Sequence, residues 1–355
     1  MIDGFALAAK LETDRSLSLA EYEALLRQRS EALAASLRER AVRVRQAVYG
    51  NTVFTRGLIE ISSYCKNNCY YCGIRRDNRS AERYRLSPKE ILDCCREGWD
   101  LGFRTFVLQG GEWGDERADW IAGIIGEMRR RWPDCAITLS LGEHSREVYA
   151  LWRDCGANRY LLRHETHNPQ HYASLHPAEM NRDRRMQCLQ WLKQLGYQTG
   201  TGIMVGSPGQ TVDHLVEDLQ FIREFRPEMV GLGPFIAQHD TPLSNYPNGS
   251  ADMTTRLYSL VRLMLPSALI PSTTALATLS PQGRLQGILA GANVVMPNLS
   301  PADYRDQYAL YDGKANTGSE AAEGLRQLAD QLATIGYHIN WGRGDYKKNL
   351  APDSP

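Results

Sequence analysis

The sequence predicts an α/β protein folded as a (β/α)8 TIM-type barrel with an N-terminal helical extension. Two observations predict this fold. From about residue 56, short apolar runs alternate with longer amphipathic segments, and most of the apolar runs end in polar or glycine-rich residues. Strands that alternate with helices favour parallel βαβ units. Eight such units favour a closed barrel, in which the functional residues lie at the carboxyl ends of the strands.

Residues 1–50 precede this alternation, and we expect them to be helical. Ser18 and Glu21 have the spacing of a capping box, and leucines follow them at roughly helical intervals. The sequence therefore predicts three regions. They are a helical segment at 1–50 that packs on the outside of the barrel, the barrel itself at 51–345, and a loose tail at 346–355.

Eight apolar runs are the candidate strands: Leu58–Ser62, Thr105–Gln109, Ala136–Leu141, Arg159–Arg163, Gly200–Val205, Met229–Pro234, Ile270–Ala275 and Ala292–Pro297. The helix-like segments between them include Pro88–Leu101, Asp119–Trp132, Ser145–Cys155, Arg182–Leu195, Val212–Phe225 and Met253–Leu265. Charged residues at the strand ends, such as Glu112 and Glu165, need partners there. They are therefore candidate site residues.

The composition argues against several classes of protein. The 355 residues carry a formal net charge of zero with interspersed charges, which argues against nucleic-acid binding. No apolar run approaches the roughly 18 residues that span a bilayer, and no secretory signal is recognisable. The eight cysteines do not have the pattern of a disulfide framework. We therefore expect a cytoplasmic protein with no membrane or nucleic-acid partner.

Three cysteines, Cys65, Cys69 and Cys72, lie in one short loop after the first candidate strand, with the spacing Cys-x3-Cys-x2-Cys. Soft thiolate ligands favour iron–sulfur clusters or zinc. A structural zinc site needs four ligands, and no further cysteine or histidine stands beside these three. A 4Fe–4S cluster normally takes four thiolates, so three would leave one iron open for chemistry. A non-catalytic iron–sulfur or zinc binding module remains the alternative.

The cysteine spacing, with Tyr71 just before the third cysteine, resembles the signature of the radical S-adenosylmethionine (SAM) enzymes. The resemblance implies one 4Fe–4S cluster whose open iron is chelated by the amino and carboxylate groups of SAM. It also implies that an electron from the cluster cleaves SAM to a 5′-deoxyadenosyl radical.

Longer strings resemble the HydE family of FeFe-hydrogenase maturases, a radical SAM family of the biotin synthase group. The most specific strings are Leu161–Thr166 and the tyrosine-rich run from Tyr304 to Tyr311. The resemblance implies a role in assembling the two-iron subcluster of FeFe hydrogenase from a mononuclear iron complex with carbonyl, cyanide and cysteine ligands. It also implies partners similar to the maturases HydG and HydF, a low-potential electron donor of ferredoxin or flavodoxin type, and a monomer.

The resemblance also implies roles for individual residues. The three loop cysteines bind the cluster. The residues implied in SAM binding are Tyr71, Gly110, Gly111, Glu112, Ser140, Arg163, Glu165 and Arg185. The residues implied at the substrate end are Gln109, Thr273, Thr274, Tyr308 and Tyr311. Simpler interpretations exist: surface salt bridges for Arg163–Glu165 and Arg185–Asp183, and core packing for the tyrosines and threonines. For His164 and His167 we expect structural roles.

The chain departs from the family pattern in one place. Some members bind a second cluster through three more cysteines, but Tyr311–Glu323 contains none, so we expect one cluster. The nearest rival is an amino-acid mutase similar to methylornithine synthase, which shares the barrel and much of the cysteine loop. Gln109–Glu112 and Arg163–Thr166 favour the maturase over this rival. A sulfur insertase similar to biotin synthase needs further barrel cysteines, which the strand ends lack.

Overall fold

A computed structural model describes residues 3–314 and 321–347 of the chain. Its strands are β1 (Thr52–Thr55), β2 (Gly57–Ser62), β3 (Thr105–Gly110), β4 (Ala136–Ser140), β5 (Arg159–Leu161), β6 (Gln198–Val205), β7 (Met229–Pro234), β8 (Val294–Val295) and β9 (His338–Asn340). Its helices are α1 (Gly4–Asp14), α2 (Leu19–Arg27), α3 (Glu31–Tyr49), α4 (Pro88–Asp100), α5 (Ala118–Arg131), α6 (Arg146–Asp154), α7 (Pro169–Leu175), α8 (Arg182–Gln194), α9 (Val212–Phe225), α10 (Ala251–Met264), α11 (Thr274–Leu279), α12 (Gly283–Ile288), α13 (Ala302–Arg305) and α14 (Ala321–Ala333).

The first three helices form the N-terminal extension. The capping box that starts α2 is present, because the Ser18 hydroxyl accepts from the Glu21 N–H and the Glu21 carboxylate accepts from the Ser18 N–H. Helix α3 packs on α10, and α2 packs on α9. Since α9 and α10 belong to the outer ring of helices, the extension covers the outside of the barrel wall.

Six parallel strands, β2 to β7, form one sheet in sequential order, and β8, β1 and β9 form a second sheet. Isolated parallel bridges close the ring: Met229–Leu269, Pro271–Val294 and Leu58–Asn298. The barrel class that the sequence predicted is therefore confirmed. Its last two positions, however, are held by much shorter extended segments than the first six.

The prediction of two full-length strands at the end of the barrel was wrong. Ile270–Ala275 contributes only an isolated bridge before α11 begins, and Ala292–Pro297 contributes only the two residues of β8. Pro271 has no N–H to donate to a strand ladder. The Thr273 side chain accepts from the Leu276 N–H and so starts a helix where the sequence suggested a strand.

The C-terminal segment returns to the start of the barrel. Strand β9 pairs with β1, and the Lys347 ammonium donates to the Val48 carbonyl at 2.8 Å. The rest of the predicted tail, residues 348–355, lies outside the described residues, and the three-region division stays a prediction. Within the described ranges, we find no helix that is both long and apolar enough to cross a membrane.

Candidate active site

A cavity of about 330 Å³ lies at the carboxyl ends of the barrel strands. Every residue that the sequence analysis assigned to a site lines it: Cys65, Cys69, Tyr71, Cys72, Gln109, Gly110, Gly111, Glu112, Ser140, Arg163, Glu165, Arg185, Thr273, Thr274, Tyr308 and Tyr311. The fold therefore brings together side chains that are up to 246 positions apart in the chain (311 − 65). Their individual roles stay predictions.

The cysteine loop leaves the end of β2 and is held by one arginine. Arg83 donates from Nη1 to the carbonyls of Ser63 and Ile74 at 2.6 and 2.8 Å. It donates from Nη2 to the carbonyls of Arg75 and Asn78 at 2.6 and 3.0 Å. A planar guanidinium has donors in a fixed fork, so this side chain ties both ends of the loop to one rigid group.

Neighbouring strand ends hold the same loop. The Glu112 N–H donates to Cys65 Sγ at 3.3 Å, and the Lys66 N–H donates to the Glu112 carbonyl at 2.8 Å. A Cβ on Gly111 would overlap the Tyr64 carbonyl oxygen, so only glycine allows the two backbones to approach this closely. The turn after β3 and the cysteine loop therefore form one unit.

The three thiols lie in an apolar setting. Burial, together with the neighbouring Cys65 thiol, raises the pKa of Cys72 to about 12. Burial also raises the pKa of Cys65 and Cys69. Without a metal these thiols therefore keep their protons, and a metal that bound them would have to displace those protons.

The donors of the loop fit a cluster better than a structural zinc ion, because the loop supplies three thiolates and a structural zinc site takes four ligands. Among the described residues, no three His, Cys, Asp or Glu side chains converge on one point as a single metal ion requires. A zinc ion needs its thiolates about 2.3 Å away, around one centre. A four-iron cluster binds each thiolate through a different iron and so accepts a wider spacing.

A buried ion cluster lies beside the loop. Arg185 Nε lies 2.8 Å from Glu143 Oε1, and Arg185 Nη2 lies 3.9 Å from Glu112 Oε2. Lys66 Nζ lies 3.1 Å from the other Glu112 oxygen. Asp183 pairs with Arg182 instead, so the surface pair Arg185–Asp183 does not form. Arg185 thus carries a charge next to the cysteine loop, among carboxylates that hold it in place.

Glu165 has a strained backbone. Its φ is +64°, a left-handed conformation that a residue with a Cβ adopts at a cost of roughly 1–3 kcal/mol. Its carboxylate lies 3.0 Å from Arg163 Nη2, so the salt bridge considered for this pair is present, but inside the cavity rather than on the surface. The strain aims a carboxylate into the cavity.

The opposite end of the cavity is lined by hydroxyl and amide groups. Gln109 hydrogen-bonds the Tyr308 hydroxyl, and Thr278 hydrogen-bonds Tyr311. Thr273 caps α11 and lies 3.4 Å from the Tyr258 hydroxyl. The side chains among these that line the cavity therefore each contact another side chain of the protein as well.

Sequence reasoning missed two charged residues at this end. Glu60 and Lys314 line the cavity, and Lys314 Nζ lies 2.5 Å from Glu60 Oε1. The signal for Glu60 was visible, because it is a carboxylate inside the apolar run of β2. The signal for Lys314 was absent, since it stands in a polar segment with no pattern.

His164 and His167 contact protein groups. His164 Nδ1 lies 2.7 Å from Thr201 Oγ1, and His164 Nε2 lies 3.2 Å from Asp218 Oδ1. Burial lowers the pKa of His164 to about 3. It therefore stays neutral, and its contacts agree with the structural role expected of it.

A barrel with a three-cysteine loop after its first core strand defines the radical SAM class, and residues 59–222 match the Radical SAM superfamily. The HydE subunit of the [FeFe] hydrogenase maturase of Thermotoga maritima is 47% identical over 271 residues, which cover 76% of this chain and 77% of that protein. The chain belongs to the HydE family of radical SAM enzymes.

Two solved structures support the fold. Methylornithine synthase (PylB) has a TM-score of 0.79 at 26% identity, over 94% of this chain and 97% of that one. The FeFe-hydrogenase maturase HydG from Carboxydothermus hydrogenoformans has a TM-score of 0.81 at 22% identity, over 95% and 79%. At 22% identity the likeness to HydG concerns the fold alone. The resemblance to the HydE family found in the sequence is confirmed.

Proposed function

We propose that this protein acts in FeFe-hydrogenase maturation by reductive cleavage of SAM and attack on a mononuclear iron complex with carbonyl, cyanide and cysteine ligands. The observation that carries the proposal is the placement of the three-cysteine loop at a cavity lined by every predicted contact, in a chain 47% identical to HydE of T. maritima. When bound, one 4Fe–4S cluster supplies the electron that breaks the sulfonium bond and releases a 5′-deoxyadenosyl radical. Cys65, Cys69 and Cys72 would hold that cluster.

The residues beside the loop would bind and orient SAM. Arg185 offers a guanidinium fork, which matches a carboxylate bidentately, and we assign it to the methionine carboxylate. Gly110, Gly111 and Glu112 would receive the methionine amino group, since the glycines allow close approach of the backbone. We assign the Glu165 carboxylate to the ribose hydroxyls.

The remaining predicted contacts complete this assignment. Ser140 and Arg163 would bind further polar groups of SAM, and Tyr71 would cover the adenine or the cluster. Tyr71 has a fixed orientation, because its hydroxyl lies 3.2 Å from His176 Nε2. Gln109, Thr273, Thr274, Tyr308 and Tyr311 would hydrogen-bond the cyanide nitrogens or the cysteine carboxylate of the substrate.

The wider setting belongs to the same proposal. We infer a single cluster, because Tyr311–Glu323 contains no cysteine; residues 315–320 of that stretch lie outside the described residues. We also infer a cytoplasmic monomer that receives its substrate from a HydG-like maturase and passes its product toward a HydF-like one. A ferredoxin or flavodoxin would supply the electron.

Anaerobic reconstitution tests the chemistry. With iron, sulfide, dithionite and SAM, we expect 5′-deoxyadenosine and a cluster signal that changes when SAM binds. A protein that takes up only zinc and forms no 5′-deoxyadenosine would instead be a binding module.

The choice of substrate distinguishes the proposed function from that of the rival amino-acid mutase. The likeness to PylB carries 26% identity against 47% for HydE, so we expect product only with the iron complex. Formation of methylornithine from an amino acid by the reconstituted protein would favour the rival.

A further inference from the structure

Glu60 joins three segments of the chain where β2 meets the end of the barrel through an isolated bridge. Strands β2 and β8 are not paired directly, and within the ranges described a single bridge, Leu58–Asn298, joins β2 to residues 297–300. By contrast, β2 and β3 are paired along most of their length. We call this contact between β2 and residues 297–300 the seam.

Every polar group of Glu60 is used at the seam. Its N–H donates to Ser300 Oγ at 2.8 Å, and its carbonyl accepts from the Tyr84 hydroxyl at 2.8 Å. Its Oε2 accepts from Asn298 Nδ2 at 2.9 Å, and its Oε1 accepts from Lys314 Nζ at 2.5 Å. Only 1% of the residue is exposed. Burial raises the pKa of this carboxyl, and the contacts with Lys314 and Asn298 act in the opposite direction by stabilising the charged form.

Lys314 carries the connection to the substrate end. Its ammonium also donates to the Tyr308 carbonyl at 3.0 Å, and it lies 4.9 Å from the centre of the Tyr308 ring. The Tyr308 hydroxyl is in turn hydrogen-bonded to Gln109. Gln109 pairs with Glu60 in the β2–β3 register. Glu60, Lys314, Tyr308 and Gln109 therefore form a closed ring of contacts.

We propose that Glu60 and Lys314 are positioning residues that set the orientation of Tyr308 toward the substrate. The expected loss of turnover rests on the proposed function, whereas the expected change in the orientation of Tyr308 does not. Removing one charge frees the Tyr308–Lys314 segment from β2 and leaves the other charge buried without its partner. Tyr308 then turns away from Gln109, while the cysteine loop keeps the hydrogen bonds from Arg83 and its backbone bond to this segment, from the Gly73 N–H to the Leu310 carbonyl at 2.9 Å.

The orientation of Tyr308 is tested without any cofactor. The full chain is prepared with 3-fluorotyrosine at position 308, and the 19F resonance is compared among the wild type, Glu60→Gln and Lys314→Met. We expect both variants to shift or broaden the resonance. The matched control is Asp345→Asn, which breaks the Arg159–Asp345 pair of 2.7 Å at the amino end of β5 and should leave the resonance in place. An unchanged resonance in both seam variants would overturn the proposal.

Turnover supplies the second readout. In reconstituted protein, both seam variants should lose less of the 5′-deoxyadenosine formed from SAM alone than of the substrate-dependent product. Substrate-dependent product should fall about 10- to 100-fold, as misplacement of a group that contacts substrate does. The double variant should be no worse than the single variants, because the two residues act as one unit.

The two failures are distinguishable. If the wild type forms no 5′-deoxyadenosine, the proposed function fails, and the 19F result still decides the positioning. If the wild type is active and both seam variants keep full product yield, the positioning role in turnover is wrong. If Asp345→Asn lost as much substrate-dependent product as the seam variants, the loss would reflect general destabilisation of the protein. That result would also overturn the proposal.

Discussion

The two ends of the cavity are built in different ways. At the cysteine-loop end, the three thiols lie within eight consecutive residues, and Arg83 holds that loop through carbonyls that are 5 to 20 positions away. At the seam end, Glu60 meets Asn298 and Lys314, which are 238 and 254 positions away. The first end depends on local chain geometry, and the second depends on how the barrel closes. One backbone hydrogen bond, from the Gly73 N–H to the Leu310 carbonyl at 2.9 Å, joins the two ends, so damage at one end should affect the other to a smaller extent.

The largest effect is expected at the cysteine-loop end. Cys69→Ala should abolish the cluster, because it leaves only two thiolates in the loop. Iron content and the EPR signal after reconstitution measure this loss. The control is Cys188→Ala, which changes a buried thiol that does not line the cavity and should keep the iron. Full iron content in Cys69→Ala would mean that another ligand holds the metal.

The next prediction distinguishes binding of the cluster from binding of SAM. Arg185→Ala should keep the cluster and weaken SAM binding about 10- to 100-fold, since hydrogen bonds between charged groups are strong. Equilibrium binding of SAM to the reconstituted protein measures it. Arg184→Ala is the matched control, because Arg184 donates to the His144 carbonyl and lies over Trp191. Normal SAM affinity in Arg185→Ala would show that the assignment of this arginine is wrong.

A smaller effect is expected at the seam. Asn298→Ala removes one hydrogen bond to the Glu60 carboxylate and one to the Ser300 N–H. We expect the free energy of unfolding to fall by about 1–3 kcal/mol, with iron content unchanged. Denaturant unfolding and iron analysis of the same preparation measure both quantities. Loss of iron in this variant would show that the two ends are coupled.

The smallest effect on the cavity is expected from Asp218 of α9, which does not line it and bears on stability alone. Burial raises the pKa of Asp218 to about 8, so the folded protein holds a proton that the unfolded chain releases near pH 4. Stability from this group is present below pH 4 and is lost as the pH rises to about 8, by up to about 1.4 kcal/mol per pH unit.

Asp218→Asn should remove that slope. Unfolding free energies at pH 5 and pH 8 for both proteins measure the difference. An equal slope in the variant and the wild type would mean that Asp218 is ionised in the folded protein, as at a solvated site.

The sequence by itself determined the α/β class and the cysteine loop, because these depend on short-range patterns: alternating apolar and amphipathic segments, and three thiols in one loop. Its resemblance to the HydE family supplied most of the other residues around the cavity. The sequence also pointed to Gly111 as a site residue. Why glycine is required there, namely the close approach of the Tyr64 carbonyl, is visible only in the folded chain.

Only the tertiary structure decided how the barrel closes and what lies at its far end. The last two strands are short because a proline and a helix cap interrupt them, and neither signal outweighed the apolar pattern in the sequence. The partners of Arg185, the strained backbone of Glu165 and the Glu60–Lys314 pair all join distant segments. Such contacts depend on strand register and ring closure, which no local pattern of residues specifies.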